Sequence, residues 1–446
     1  MKISFNTLII SLLATILFFY TQPASAQSPN VPTPGAKQSK SILLFGGVAH
    51  IGNGEVIQQS LIRLENGKIA SIGEVGYTKP IAGNQQDVID ISGKHVYPPL
   101  IAPTTSIGLV EIDAVRATRD FAEVGGLNPN VRSIIAYNTD SRVTPTIRSN
   151  GVLLAQVAPL GGRLAGTSSI VTLDAWNWED AAYQTDDALH LRWPSMFNRS
   201  GWWANPGGTE KNKKYEKQTT QVEDLFEQAK AYCEAGSHES TNLKLESMCG
   251  IFNKEMSLFV EVDFIKEIIE AVHFAQKYDI KIVIVGGRDA WMATDILKEN
   301  NIPVIVLSTQ RLPARADEDT DIMFRLPSIL QKAGIQYCIG MEGDAWNTRN
   351  LIFQAGSAAA YGLTKEQAIS AVTANTAKIL GIDKTVGTLE AGKDATLIVS
   401  KGDILDMRTS HIEYAFIQGR QVSMDNKQKS LYRKFMNKYK FQPIEK

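Results

Sequence analysis

Apolar and polar residues alternate with a period of two through SILLFGGVAHI (Ser41–Ile51), SLIRLENGKIASIGEV (Ser60–Val75) and DVIDISGKHVY (Asp87–Tyr97). That period reads as half-buried β-strands. Asn66-Gly67 between two such runs is a type I′ hairpin signal, because both central residues must take positive φ. After Pro98 the rhythm changes. SLFVEVD is followed by helical FIKEIIEAVHFAQKYD, strand IKIVIVG, helix DAWMATDILKENN, strand IPVIVLS, helix MFRLPSILQKAG and strand IQYCIGM. Short apolar runs alternating with amphipathic helices predict βα units on a parallel sheet. About eight such units fit between Pro98 and Gly381, the size of a (β/α)8, TIM-like barrel. A doubly wound sheet is the rival, but no Gly-rich phosphate turn follows any strand. Strands return in GTLEAGKDATLIVS and HIEYAFIQGRQV, so both chain ends are expected to build one small composite β-sandwich. The expected order is residues 41–97 (sandwich, first part), 98–385 (barrel), 386–425 (sandwich, second part) and a basic, partly helical tail over 426–446, read as a docking or solvated end.

Composition changes the picture little. The 446 residues are 43% hydrophobic with a net charge of -1, enough for a large core and no reason to expect nucleic acid or an acidic membrane as partner. The N-terminus changes it more. Lys2, the apolar run Leu8–Tyr20 and Ala24-Ser25-Ala26 form a signal peptide (1–26), with cleavage expected after Ala26 and a Pro/Ser-rich linker over 27–40. The apolar run is short of the roughly 20 residues a membrane span needs, so no span is expected after cleavage. The mature chain is therefore expected to be secreted or periplasmic. In that setting Cys233 and Cys249, 16 apart, either form a disulfide or remain free thiols, and Cys338 in IQYCIG is expected to be buried.

The last third, AAAYGLTKEQAISAVTANTAKILGIDKTVGTLEAGKDATLIVSKGDILD and then HIEYAFIQGRQV, resembles the closing segment of the amidohydrolase superfamily. The imidazolonepropionase-like and dihydroorotase-like members are nearest. GKHVYPPLIAP and RSNGVLLAQVAPLGGRLAGTSSIVTLDAW resemble the family's entry into the barrel. The resemblance implies a hydrolase of carbon–nitrogen bonds other than ordinary peptide bonds, such as cyclic amides. It also implies zinc or another divalent metal held by imidazoles, and an Asp after the last strand that shuttles the proton.

The ligands are missing. Of the six histidines (His50, His95, His190, His238, His273, His411) none form the i, i+2 pair that aims two imidazoles at one ion. The family's His-x-His falls on Thr104 and Ser106 in YPPLIAPTTSIGL, its strand-five histidine near Glu261, and its strand-six histidine at or beside Gly286. No metal ligand and no cofactor are therefore assigned. Asp344 and Glu342 compete for the catalytic acid/base, and Glu261, Asp263, Arg288 and Arg349 are candidates for substrate binding. The same four acids also read as an oxygen-only cation site, or as loop acids paired with Arg288 or Arg349. In the Asp-Ala-Trp turns at Asp174, Asp289 and Asp344 the Asp is expected to cap a following helix while the Trp packs over the barrel end. MFNRSGWWANPGGTEKNKKYEKQ is a candidate lid, its Trp202 and Trp203 expected outside any regular element. Two functions follow: a divergent hydrolase using carboxylates on a small-molecule substrate, or an inactive homologue that binds a small molecule. Either is compatible with a homo-oligomer or with pairing to an active paralogous subunit.

Overall fold

The computed structural model describes residues 34–76, 81–202, 205–343 and 345–441. Residues 1–33, in which the signal peptide and the start of the linker are expected, lie outside the described residues, as do Trp203, Asp344 and the end of the basic tail. Strands β1 (Ser41–His50), β2 (Val56–Glu65), β3 (Lys68–Glu74), β4 (Gln86–Asp90) and β5 (His95–Tyr97) come first. Then come β6 (Leu100–Thr105), β7 (Val152–Val157), β8 (Leu164–Thr167), β9 (Ser169–Thr172), β10 (Ala182–Gln184) and β11 (Ala188–Arg192). The hairpin β12 (Phe197–Trp202)–β13 (Asn205–Lys211) precedes β14 (Ser257–Val262), β15 (Ile282–Gly286), β16 (Val304–Leu307) and β17 (Tyr337–Gly340). The chain closes with β18 (Leu397–Ser400), β19 (Ile412–Ile417) and β20 (Arg420–Gln421). The fold is mixed α/β.

Both chain ends share one sheet, in the order β20-β19-β18-β5-β1-β2-β3 with β4 on β1. Its buried side joins Leu44, Ile62, Leu64 and Ile69 from the first end to Leu397, Val399 and Phe416 from the second. Asn66 and Gly67 take φ of 51° and 76° between the paired Glu65 and Lys68, the turn their sequence predicts.

From β11 onward strands and helices alternate. β11, β14, β15, β16 and β17 are parallel neighbours in one sheet, and each is almost wholly buried, as a sheet covered on both faces requires. Helix α3 (Ile265–Tyr278) follows β14 and α5 (Ile322–Ala333) follows β16. Ahead of them lie α1 (Thr144–Arg148) and α2 (Tyr215–Ala235); α4 (Thr294–Glu299), α6 (Leu351–Ala360), α7 (Lys365–Ser370) and α8 (Lys427–Tyr439) complete the elements used below.

One part of the βα rhythm fails. β9 is antiparallel to β7, β8 is antiparallel to β11, and only Ser168 separates β8 from β9. Residues 164–172 therefore run against both neighbours. The β7–β9 pair closes at Val157↔Ser169, so residues 158–168 make the reversal with β8 inside it, too short a stretch for the crossover helix that a parallel return uses. At the other margin, β6 and β17 both donate to one segment: Ile101 N–H to Val372 O at 3.0 Å and Ile339 N–H to Ala371 O at 2.9 Å.

Three local expectations are corrected. Trp202 is inside β12, paired with Asn205 across the hairpin. Asp289 does not cap its own turn; it accepts from Ile265 N–H at the start of α3 and takes a two-pronged ion pair from Arg315. Asp174 is buried between Arg148 (2.6 Å) and Arg420 (3.0 Å), and Trp176 and Trp346 are exposed instead of packed over the sheet ends. Cys233 and Cys249 are joined as a disulfide with Cα atoms 5.4 Å apart, and Cys338 is free and buried.

Candidate functional site

Parallel strands bring their C-terminal ends to one side of a sheet, and in such folds ligands bind there. A cavity of about 260 Å³ occupies that side. Its polar lining comes from Thr104 and Ser106 at the end of β6, His190 and Arg192 on β11, Glu261 on β14 and Glu342 after β17; Phe259, Val285 and Leu307 give it apolar walls.

Thr104 has φ +48°, a genuine outlier for a β-branched residue and one that costs on the order of 1–3 kcal/mol. A part-buried chain of hydrogen bonds holds it. Thr104 N–H donates to Gln156 Oε1 at 3.1 Å, and Gln156 Nε2 donates to Asp187 Oδ2 at 2.6 Å. Ser168 donates to Asp187 Oδ1 at 2.8 Å. Burial pushes the Asp187 carboxyl up to about 6, and the hydrogen bonds from Gln156 and Ser168 work against that rise. Thr104 Oγ1 is buried and has no hydrogen-bond partner.

His190 is the second orphan. Between Leu189 and Leu191, which are buried in the core, its ring lines the cavity and tilts over Phe259 with ring centres 5.3 Å apart. Nε2 is buried without a partner, and burial drives the imidazole down to about 3, so it is neutral across the physiological range. An unmet buried hydrogen-bonding atom costs about 1–3 kcal/mol unless something fills the need. Thr104 and His190 both line one cavity.

The carboxylates here are paired. Arg192 Nε meets Glu261 Oε2 at 2.9 Å, and Arg311 Nε meets Glu342 Oε2 at 2.9 Å while its Nη2 lies 3.7 Å from Asp263. Glu342 N–H donates to Ser308 Oγ at 2.8 Å, which fixes its backbone after β17. The partners are thus Arg192 and Arg311, not Arg288 and Arg349. Arg288 is buried, donates to Leu312 O at 3.0 Å and pairs with Glu318 at 3.4 Å. Arg349 stacks on Trp346, its guanidinium carbon 4.1 Å from the ring centre. Neither lines the cavity, and Asp263 faces the turn after β15, accepting from Arg288 N–H at 3.3 Å. Of the acids and arginines singled out in the sequence, Glu261 and Glu342 reach the cavity; Asp344 lies outside the described residues.

An imidazole-held metal does not fit these residues. Two of the family positions are hydroxyls, and the strand-six position falls at or beside Gly286, where a Cβ would stand 2.6 Å from Asp263 Oδ1. Each carboxylate that lines the cavity is already held by a guanidinium. Among the described residues no three His, Cys, Asp or Glu side chains converge to hold an ion.

A second cavity of about 720 Å³ adjoins the first, sharing Ser106, Leu160 and Gly343 with it. Glu111, Asp140, Arg142 and Trp346 line its outer part. Among the described residues, the hairpin β12–β13 contributes to neither lining.

The chain is similar to amidohydrolases in sequence over part of its length and in fold over most of it. A profile described as "Amidohydrolase family" matches residues 320–424. A 5-methylthioadenosine/S-adenosylhomocysteine deaminase from Moorella thermoacetica is 37% identical over 90 residues, which is 18% of this chain and 20% of the deaminase's own length. The solved amidohydrolase from Thermotoga maritima superposes with a TM-score of 0.74 at 21% identity, covering 86% of this chain and 99% of that one. A Xaa-Pro dipeptidase solved with bound methionine gives 0.53 at 14% identity, covering 86% and 100%. The structural likenesses are of fold, and the profile match over 320–424 is one of sequence. Residues 320–424 match the amidohydrolase family in sequence, and the chain shares the fold of a solved amidohydrolase.

Proposed function

We propose that this protein is an exported hydrolase of carbon–nitrogen bonds in small neutral substrates such as cyclic amides, using carboxylates in place of imidazole-held zinc. The observation that carries the reading is that Thr104 and His190, each with a buried, unpartnered polar atom, line the same cavity as Glu261 and Glu342. A neutral hydroxyl and a neutral imidazole suit an uncharged amide, which offers one acceptor oxygen and one donor nitrogen. The cavity is below the usual 300–1,000 Å³ of ligand pockets, which favours a small ring, with room for a substituent in the adjoining cavity.

In this reading water adds to the carbonyl carbon. Its proton passes to a carboxylate after the last strand, Asp344 or Glu342, and from there to the nitrogen as the C–N bond breaks. His190 and Thr104 hydrogen-bond the oxygen on which charge develops. Arg311 and Arg192 hold the two glutamates in place. The deaminase relative, whose name describes a C–N hydrolysis, supports the reaction class.

The reading takes β6 to β17 as one barrel closed through residues 371–372, with the two-ended sheet as a composite β-sandwich; the hydrogen bonds of Ile101 and Ile339 to that segment support the closure. The Cys233–Cys249 disulfide supports export, because disulfides persist in oxidising compartments. Among the described residues no helix is long and apolar enough to cross a membrane.

The test is turnover on a panel of cyclic amides and N-acyl dipeptides, read as ring-opened or cleaved product, with zinc measured on the same preparation. Product formed at far less than one zinc per chain is expected. Stoichiometric zinc retained through dialysis, or no product across the panel, contradicts the reading, the latter in favour of an inactive homologue.

A further inference from the structure

Helix α8 stands apart from the rest of the surface. Between Lys427 and Phe441 the chain has six Lys and Arg and no Asp or Glu, while the whole protein carries a net charge of -1. No residue of α8 is buried. Its first turn is tied down: Asn426 caps Lys429 N–H, Asn426 Nδ2 donates to Ser149 Oγ at 2.8 Å, and Thr146 of α1 donates to Gln428 Oε1 at 2.9 Å. Beyond that turn the helix has a regular face. Leu431, Phe435 and Tyr439 recur every fourth residue with Tyr432 and Met436 beside them, one continuous apolar stripe at the helical period. Leu431, Tyr432, Phe435 and Tyr439 are 40–54% exposed and Phe441, just past the helix, is 65% exposed. Lys427, Lys434 and Lys438 flank the stripe on one side; Lys429, Arg433 and Lys440 flank it on the other. Arg433 pairs with Asp425 at 2.5 Å, but no carboxylate of the described residues pairs with Lys427, Lys434, Lys438 or Lys440.

We infer that α8 is a peripheral membrane anchor that lies on an anionic phospholipid surface. An apolar stripe of this length laid into the headgroup boundary, with lysines on both flanks reaching up to phosphates, is the arrangement an interfacial helix needs. Tyrosines at the stripe's edge suit the same depth. Charge decides between occupants. A second copy of the chain would set six cations against six, a like-charge contact that opposes association. An anionic surface neutralises them, each basic residue contributing about five-fold to binding. The anchor adjoins the candidate site, because Lys427 and Gln428 of its first turn line the 720 Å³ cavity. The inference does not depend on the proposed reaction.

The experiment is co-sedimentation of the full chain with vesicles of phosphatidylcholine alone or with about a third phosphatidylglycerol. Binding to the anionic vesicles at least about ten-fold tighter, weakening as salt is added, is expected. Lys434→Glu/Lys438→Glu should lose about 25-fold or more. Leu431→Ser/Phe435→Ser/Tyr439→Ser should lose at least about ten-fold with an unchanged thermal transition, since no core residue is altered. Lys332→Glu/Lys384→Glu, the same charge change elsewhere, should stay within about two-fold. Because all variants share residues 1–26, differences among them report on α8 alone. Equal binding to both vesicle types, binding untouched by the α8 variants, no binding at all, or an oligomer that forms without vesicles and dissolves with the triple serine variant would each overturn the anchor.

Discussion

Asp263 closes the space beside Gly286: a Cβ on that glycine would lie 2.6 Å from Asp263 Oδ1, and the glycine's φ is +95°. Gly286, at or beside which the resembled family's strand-six ligand falls, thus has room for a side chain only if Asp263 turns away, and its backbone conformation disfavours one. Gly286→Ala should cost about 2 kcal/mol or more, from the contact and from a backbone region that side chains avoid. Adding Asp263→Ala should recover the part due to the contact and leave the part due to φ. Urea unfolding of both variants checks this; a midpoint that Asp263→Ala fails to raise would mean that Asp263 is not held where it stands, and an unchanged Gly286→Ala midpoint would contradict both contributions.

Thr104 makes the opposite case, a side chain kept where glycine would be easier. Thr104→Gly should leave stability unchanged or raise it by up to about 1 kcal/mol, because the strain at φ +48° disappears. It should also lower kcat/KM on any substrate found, since Oγ1 is lost. A variant that is destabilised yet fully active would show that the hydroxyl serves the fold and not a ligand.

Two buried groups should shape the pH dependence of stability in opposite directions. Asp187 titrates near 6 folded and near 3.9 unfolded, so its contribution is complete below about pH 4 and is lost as pH rises through about 6. His190 titrates near 3 folded and near 6.5 unfolded; the unfolded ring gains a proton that the folded one refuses, so stability falls as pH drops below about 6.5. The terms oppose each other between about pH 4 and 6. Asp187→Asn should therefore steepen the rise of stability with pH in that window, and His190→Gln should remove the loss on its acid side. Unfolding free energies at about pH 4.5 and 7.5 separate them, and parallel profiles for wild type and both variants would contradict the burial of these groups.

What the sequence reveals here depends on how local its cause is. The turn at Asn66-Gly67 is legible because two adjacent residues dictate it, and the parallel strands from β11 onward because each buried run is bounded by an amphipathic helix. The reversed run 164–172 was also open to reading: residues 158–168 are too short a stretch for a crossover helix, and that length was the signal overlooked. His190 left a fainter trace, polar His190 and Arg192 alternating with Leu189 and Leu191 in ALHLR. The arginine partners left none. Arg192 and Glu261 are 69 residues apart, and Arg311 meets Asp263 and Glu342 only because parallel neighbours stack their strand ends. In the Asp-Ala-Trp turns the buried Asp is taken by groups distant in sequence, Asp174 by Arg148 and Arg420 and Asp289 by Arg315 and the start of α3, and not by the helix that follows it.

The central claim is that a carboxylate after β17 moves the proton in a C–N hydrolysis, and one comparison bears on it most directly: kcat/KM of Asp344→Asn and Glu342→Gln, side by side, on whichever substrate the panel yields. Asp344 is the expected shuttle, with Glu342 already held by Arg311 at 2.9 Å. The account predicts a loss of about 10²–10⁴ in Asp344→Asn with a smaller loss in Glu342→Gln. Loss confined to Glu342→Gln would move the role to that residue, whereas full activity in both variants would contradict the carboxylate mechanism.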